Sequence, residues 1–153
     1  MTKTVKTKKT MIRLTVKQKL LLWLPVIAWM FVIFYFSSMQ TPAVTRVLWT
    51  EFVIKKTAHV IEYFILTTLT LRACLGWGVV GKRSSIIAFW LSVVFALTDE
   101  FHQSFTPGRE PKVRDVVIDV FASGLAVVFW LKYVLPAKER FWLLAKKVMF
   151  LYT

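Results

Sequence analysis

The sequence predicts an all-α, polytopic membrane protein: a bundle of four transmembrane helices followed by an interfacial C-terminal helix. Three observations lead there. Of 153 residues, 57% are hydrophobic and only 19% charged, against roughly 45–50% apolar in soluble domains. Residues 20–45 form 26 consecutive positions without a formal charge, more than the about 20 that cross a ~30 Å hydrocarbon core. The net charge of +13, which in a soluble chain points to nucleic acid, lies largely in flanking segments, as it does beside membrane spans. A soluble domain, a disordered chain and a nucleic-acid partner are therefore not expected.

Residues 1–19 carry seven cations and no anion, a basic cytoplasmic tail suited to anionic head groups. A span over about 20–38 follows, with Pro25 near its start and the turn-forming residues 37–42 at its end. Its apolar run exceeds the about 7–15 residues of a signal-peptide core and no A-x-A site follows, so an uncleaved span is expected. The second span runs from about 57 to 77, with His59 and Glu62 at its start, Arg72 near its end, and Gly76, Gly78 and Gly81 marking a loop. The third is uncharged for 15 residues, from Ser84 to Thr98. That gives only about 22 Å of helix, so Asp99, Glu100 and His102 must enter the membrane edge.

The fourth span, about 116–135, has 12 uncharged residues between Asp119 and Lys132 and likewise takes a carboxylate with it. Beyond Pro136, cations at 138, 140, 146 and 147 lie among Phe141, Trp142, Leu144 and Phe150, the composition of an interfacial helix. The chain thus divides into a tail (1–19), a four-helix transmembrane domain (20–135) and an amphipathic segment (136–153). The single cysteine, Cys74, has no partner for an intramolecular disulfide. With the N-terminus inside, cytoplasmic segments hold 13 Lys and Arg and external ones six, which predicts that both termini are cytoplasmic.

On that topology His59, Glu62, Asp99, Glu100, His102, Gln103, Arg109, Asp115 and Asp119 converge on the outer membrane level. Both histidines and six of the eight acids lie in or beside this set. The spacings are helical: Lys56, His59 and Glu62 or Tyr63 share a face, as do Asp99 with His102, and Asp115 with Asp119 and Ser123. Ionisable groups at membrane depth cost a few kcal/mol and normally face the bundle interior with a partner, so a functional site is expected. The alternative is a set of structural ion pairs joining three helices. Arg109, in the turn formed by Pro107, Gly108 and Pro111, is expected to reach over the carboxylates rather than into solvent.

The segments FYFSSMQTP (34–42), KKTAHVIEYFIL (55–66) and DEFHQSFTPGREPKVRDVVID (99–119) resemble the VanZ-like membrane proteins over about residues 20–130. Their pattern is K-x-x-H-x-x-E-Y, then D-E-x-H-Q-x-F-x-P-G-R, then R-D with Asp or Asn four residues later. The resemblance singles out Lys56, His59, Glu62, Tyr63, Asp99, Glu100, His102, Gln103, Arg109, Asp115 and Asp119. Lys112 departs from a usual Ser or Ala, and Ala122 and Ala126 stand where glycines are common; Ser123 and Gly124 are small enough to permit close packing instead. The resemblance also implies a bacterial cytoplasmic membrane and a link to low-level teicoplanin resistance.

Three functions follow as alternatives. In an enzyme acting on an anionic or lipid-linked envelope substrate, Lys56 and Arg109 clamp a phosphate. His59 or His102 then acts as nucleophile or acid and base, oriented by Asp99 or Glu62. His59, Glu62, Asp99, Glu100 and His102 are thus the candidate catalytic set, and Lys56, Tyr63, Gln103, Arg109, Asp115 and Asp119 the candidate binding set. A non-catalytic module would hold a lipid head group or glycopeptide at the same residues, and a small proton-coupled carrier would use them as a relay. No cofactor is assigned. A divalent metal suits two imidazoles and several carboxylates, but no H-E-x-x-H spacing supports it.

Overall fold

The structure is a computed structural model that describes residues 14–39, 49–79, 82–107 and 112–134. Most of the basic tail, the expected interfacial segment 136–153 and Arg109 lie outside the described residues. Among the described residues five α-helices follow in order: α1 (Val16–Leu21), α2 (Leu24–Ser37), α3 (Trp49–Gly76), α4 (Lys82–Gln103) and α5 (Val113–Phe129), the last prolonged by a π-helical turn, Trp130–Val134. No strand occurs among the described residues. Four segments among the described residues are long and apolar enough to cross a membrane: Val16–Ser37, Phe52–Gly76, Lys82–Gln103 and Val113–Val134. The chain is a multi-pass membrane protein, and the described residues hold the four predicted spans.

Charge placement explains where the helices begin. The first span starts at Val16 rather than near 20, because Thr15 and Gln18 form a capping box: Gln18 N–H donates to Thr15 Oγ1 and Thr15 N–H to Gln18 Oε1. Its helix breaks at Leu22 and Trp23, since Pro25 has no N–H to donate back to Leu21. The second begins at Trp49 instead of near 57: Lys55 is exposed and Lys56 is paired across to α5, so neither cation ends the helix. The fourth begins at Val113 with no side-chain cap of its own.

The core is made of small residues. Ala73, Ala88, Ala96, Ala122 and Ala126 are fully buried, together with Thr67, Ser84 and Ser123. This composition lets helix backbones approach closely where lipid provides no hydrophobic drive. Hydroxyls in the interface bond backward along their own helices, Thr67 to the Tyr63 carbonyl and Ser123 to that of Asp119. Thr67 also meets Ser92 of α4 at 2.9 Å. Along α5 the buried positions Asp119, Ala122, Ser123 and Ala126 form one stripe. The alanines at 122 and 126 therefore serve the close packing expected of glycines. Gly124 does not contribute to it, because a Cβ built there meets nothing within 4 Å; at about 100° per residue its position leaves the stripe.

Large apolar side chains point outward, among them Phe31, Trp90, Val94, Phe101, Phe121 and Val128. Such a perimeter suits lipid. Helix α3 packs against α2, α4 and α5, which makes it the central element. The C-terminal ends of α2 and α4 and the N-terminal ends of α3 and α5 meet at one end of the bundle. That end carries nearly all the described acids.

Candidate functional site

Helices α3 and α5 run parallel from this end, so a step of three residues on one matches a step of four on the other. Two cross-helix rungs result. Lys56 Nζ lies 2.5 Å from Asp115 Oδ1, and one turn further in His59 Nδ1 lies 3.1 Å from Asp119 Oδ1. Asp119 is six residues past Val113, about 9 Å along the axis. The outer rung is partly open, with its side chains 18% and 13% exposed. The inner one is closed on the carboxylate side, where Asp119 is 1% exposed. Arg114, exposed, approaches Asp115 at 3.6 Å and lies over the Phe52 ring.

From α4, three groups face these rungs. Asp99 is buried, and its Oδ2 accepts from Gln103 Nε2 at 2.9 Å. Glu100 Oε2 accepts the Lys112 backbone N–H at 2.8 Å, which caps α5 from a neighbouring helix and holds a negative charge at its positive end. His102 packs edge-on against Phe34 of α2, with ring centroids 5.0 Å apart. Ser37, also on α2, lies beside Asp99. On α3, Glu62 is half-buried and its carbonyl accepts from Trp29 Nε1 at 2.9 Å.

The groups form one electrostatic unit. Asp99 feels both histidines, Tyr63 feels Asp119, Asp99, Glu62 and Glu100, and His59 feels Glu62 and Lys56 as well as Asp119. Several buried atoms have no hydrogen-bond partner among the described residues: the Tyr63 hydroxyl, Asp99 Oδ1, Glu100 Oε1, His102 Nδ1 and Asp119 Oδ2. A buried polar atom left unpaired costs about 1–3 kcal/mol. Five such atoms lie at the end of the bundle that carries the acids, and Thr68 Oγ1 and Ser85 Oγ are further examples elsewhere in it.

Lys56, His59, Glu62, Tyr63, Asp99, Glu100, His102, Gln103, Asp115 and Asp119 are therefore brought to one end of the bundle, and Arg109 falls outside the described residues. Two role assignments change. The carboxylate that holds His59 is Asp119, not Asp99 or Glu62, because the matched steps of α3 and α5 put 59 opposite 119. One oxygen of Glu100 is committed to the helix cap. Sequence spacing did not single out Ser37 and Phe34, since neither is ionisable; their only signal was the segment 34–42, which carried a family likeness without a chemical reason. Among the described residues, no group of three or more His, Cys, Asp or Glu is placed to hold a metal ion.

Four packed spans with an ionisable cluster buried at one end among the described residues define a polytopic membrane protein. The VanZ/LLP1 family model matches residues 22–135, and the chain belongs to that family. No curated protein and no solved structure matches the chain.

Proposed function

We propose that the protein is an enzyme whose site opens on the outer face of a bacterial cytoplasmic membrane and acts on an anionic or lipid-linked envelope substrate. Both termini are then cytoplasmic. The observation that carries this reading is the His59–Asp119 pair in a layer of unpaired buried polar atoms. An ionised Asp119 only accepts, so it draws the His59 proton to Nδ1 and leaves Nε2 as an acceptor. Nε2 takes a proton from a hydroxyl or water as its oxygen attacks a phosphorus or acyl centre, then returns that proton to the departing oxygen. Lys56, with Arg109 as the second expected cation, neutralises charge on the substrate.

Envelope lipids incubated with the reconstituted protein and followed by mass spectrometry test this. The expected result is conversion of one lipid species by the native chain and none by His59→Ala. A lipid that co-purifies with both proteins at unchanged mass would replace the enzyme with a non-catalytic binder. Proton flux in empty vesicles, lost in His59→Ala, would replace it with a carrier. The cellular outcome expected of the enzyme is a shift in teicoplanin susceptibility that His59→Ala removes.

A further inference from the structure

Charge in the site is segregated by depth. Lys55, Lys56, Lys112 and Arg114 stand at the rim, where all but Lys56 are exposed. One to two turns inward the balance reverses: Glu62, Asp99, Glu100 and Asp119 face two histidines, and the nearest lysine is already paired with Asp115. Carboxylates in excess at membrane depth are costly unless a cation or protons complete them. An independent feature points to a ligand there. The Tyr63 hydroxyl, on a side chain 0% exposed, has no partner and lies within electrostatic reach of all four of these acids. A positively charged hydrogen-bond donor complements such acceptors. A primary ammonium offers three N–H groups, one each for Asp99 Oδ1, Glu100 Oε1 and the Tyr63 hydroxyl.

We propose that the site takes a phosphate-bearing primary amine, its ammonium seated among Asp99, Glu100 and Tyr63 and its phosphate held at the cationic rim by Lys56. This deepens the reading of the site as one for anionic envelope substrates, making that substrate a zwitterion that enters ammonium first. The ligand chemistry is shared by a lipid head group and a free phosphoamine. Quaternary amines have no N–H to donate and are rejected.

The test uses the full chain in phosphatidylglycerol nanodiscs, which contain no amine. One arm titrates O-phosphoethanolamine against O-phosphocholine by calorimetry. The other adds phosphatidylethanolamine or phosphatidylcholine and reads retained lipid by native mass spectrometry. The expected preference for the primary amine is about tenfold or more, the size of one charge-assisted hydrogen bond. It should fall to near parity in Asp99→Asn and drop partially in Tyr63→Phe. Preference in the first arm identifies a soluble ligand, and preference confined to the second identifies a lipid. Equal affinity for primary and quaternary amines in the native chain overturns the proposal, and that measurement needs no variant to fold. Binding is read without turnover, so this outcome is separate from whether His59 is catalytic.

Discussion

Asp119 does two things that a single substitution can separate: it fills a buried position, and its Oδ1 lies 3.1 Å from His59 Nδ1, where an ionised carboxylate favours the proton on that nitrogen. Asp119→Asn preserves the volume. Its amide can donate to Nδ1 as well as accept from it, so the proton is no longer confined to Nδ1 and Nε2 is no longer reliably a base. The expected outcome is a loss of turnover of about 100-fold or more, the range of a lost acid or base function, with little change in thermal stability. The variant's ring ¹⁵N shifts should show Nε2 protonated in a substantial fraction. Unchanged shifts together with full activity would make the pair a helix-to-helix tie. The outer rung behaves differently. Lys56 and Asp115 keep contact with solvent, so Lys56→Met is expected to cost about 1 kcal/mol or less in stability, and its effect should appear in substrate affinity.

The four spans were legible as elements because uncharged runs long enough to cross a bilayer have few other uses, whereas their starts were misplaced wherever a cation rides on a helix. In the sequence Lys55 and Lys56 mark the edge of the second span, yet α3 extends to Trp49, since one lysine is exposed and the other is paired with Asp115 of α5. Spacing within a helix showed which residues share a face. It does not show which faces meet, so the sequence leaves Asp99 and Glu62 as alternatives for orienting either histidine and does not single out Asp119 as the neighbour of His59; Glu100's role as a cap on another helix has no local signature. Packing on α5 gives a sharp contrast within one turn. Ala126 is 0% exposed against its neighbours, and Ala126→Leu is expected to destabilise the bundle by about 1–3 kcal/mol through overpacking. Gly124→Ala meets nothing within 4 Å and is expected to stabilise by about 0.5–1 kcal/mol through helix propensity. Thermal unfolding in one detergent compares the two, and a destabilised Gly124→Ala would mean that this face is occupied by a partner helix.

For the whole molecule, the site's end of the bundle decides which leaflet the protein can serve. The proposed orientation, favoured by the Lys and Arg counts, turns the end of the bundle that carries the cluster outward. A chemical test is available because the only native thiol, Cys74, is 3% exposed and should contribute little background. Lys82 and Lys112 stand at opposite ends of the bundle, at the start of α4 and immediately before α5, and both are exposed. Replacing Lys112 with Cys leaves the cap intact, since Glu100 is bonded to the backbone N–H there rather than to the side chain. A membrane-impermeant maleimide applied to whole cells is expected to label Lys112→Cys and to reach Lys82→Cys only after the membrane is opened. The reverse pattern would turn the cluster toward the cytoplasm, where the substrate would be an inner-leaflet lipid or a soluble metabolite and glycopeptide chemistry at the outer surface would be out of reach. Labelling of both positions from outside would contradict an odd number of crossings between them, which the single helix α4 requires.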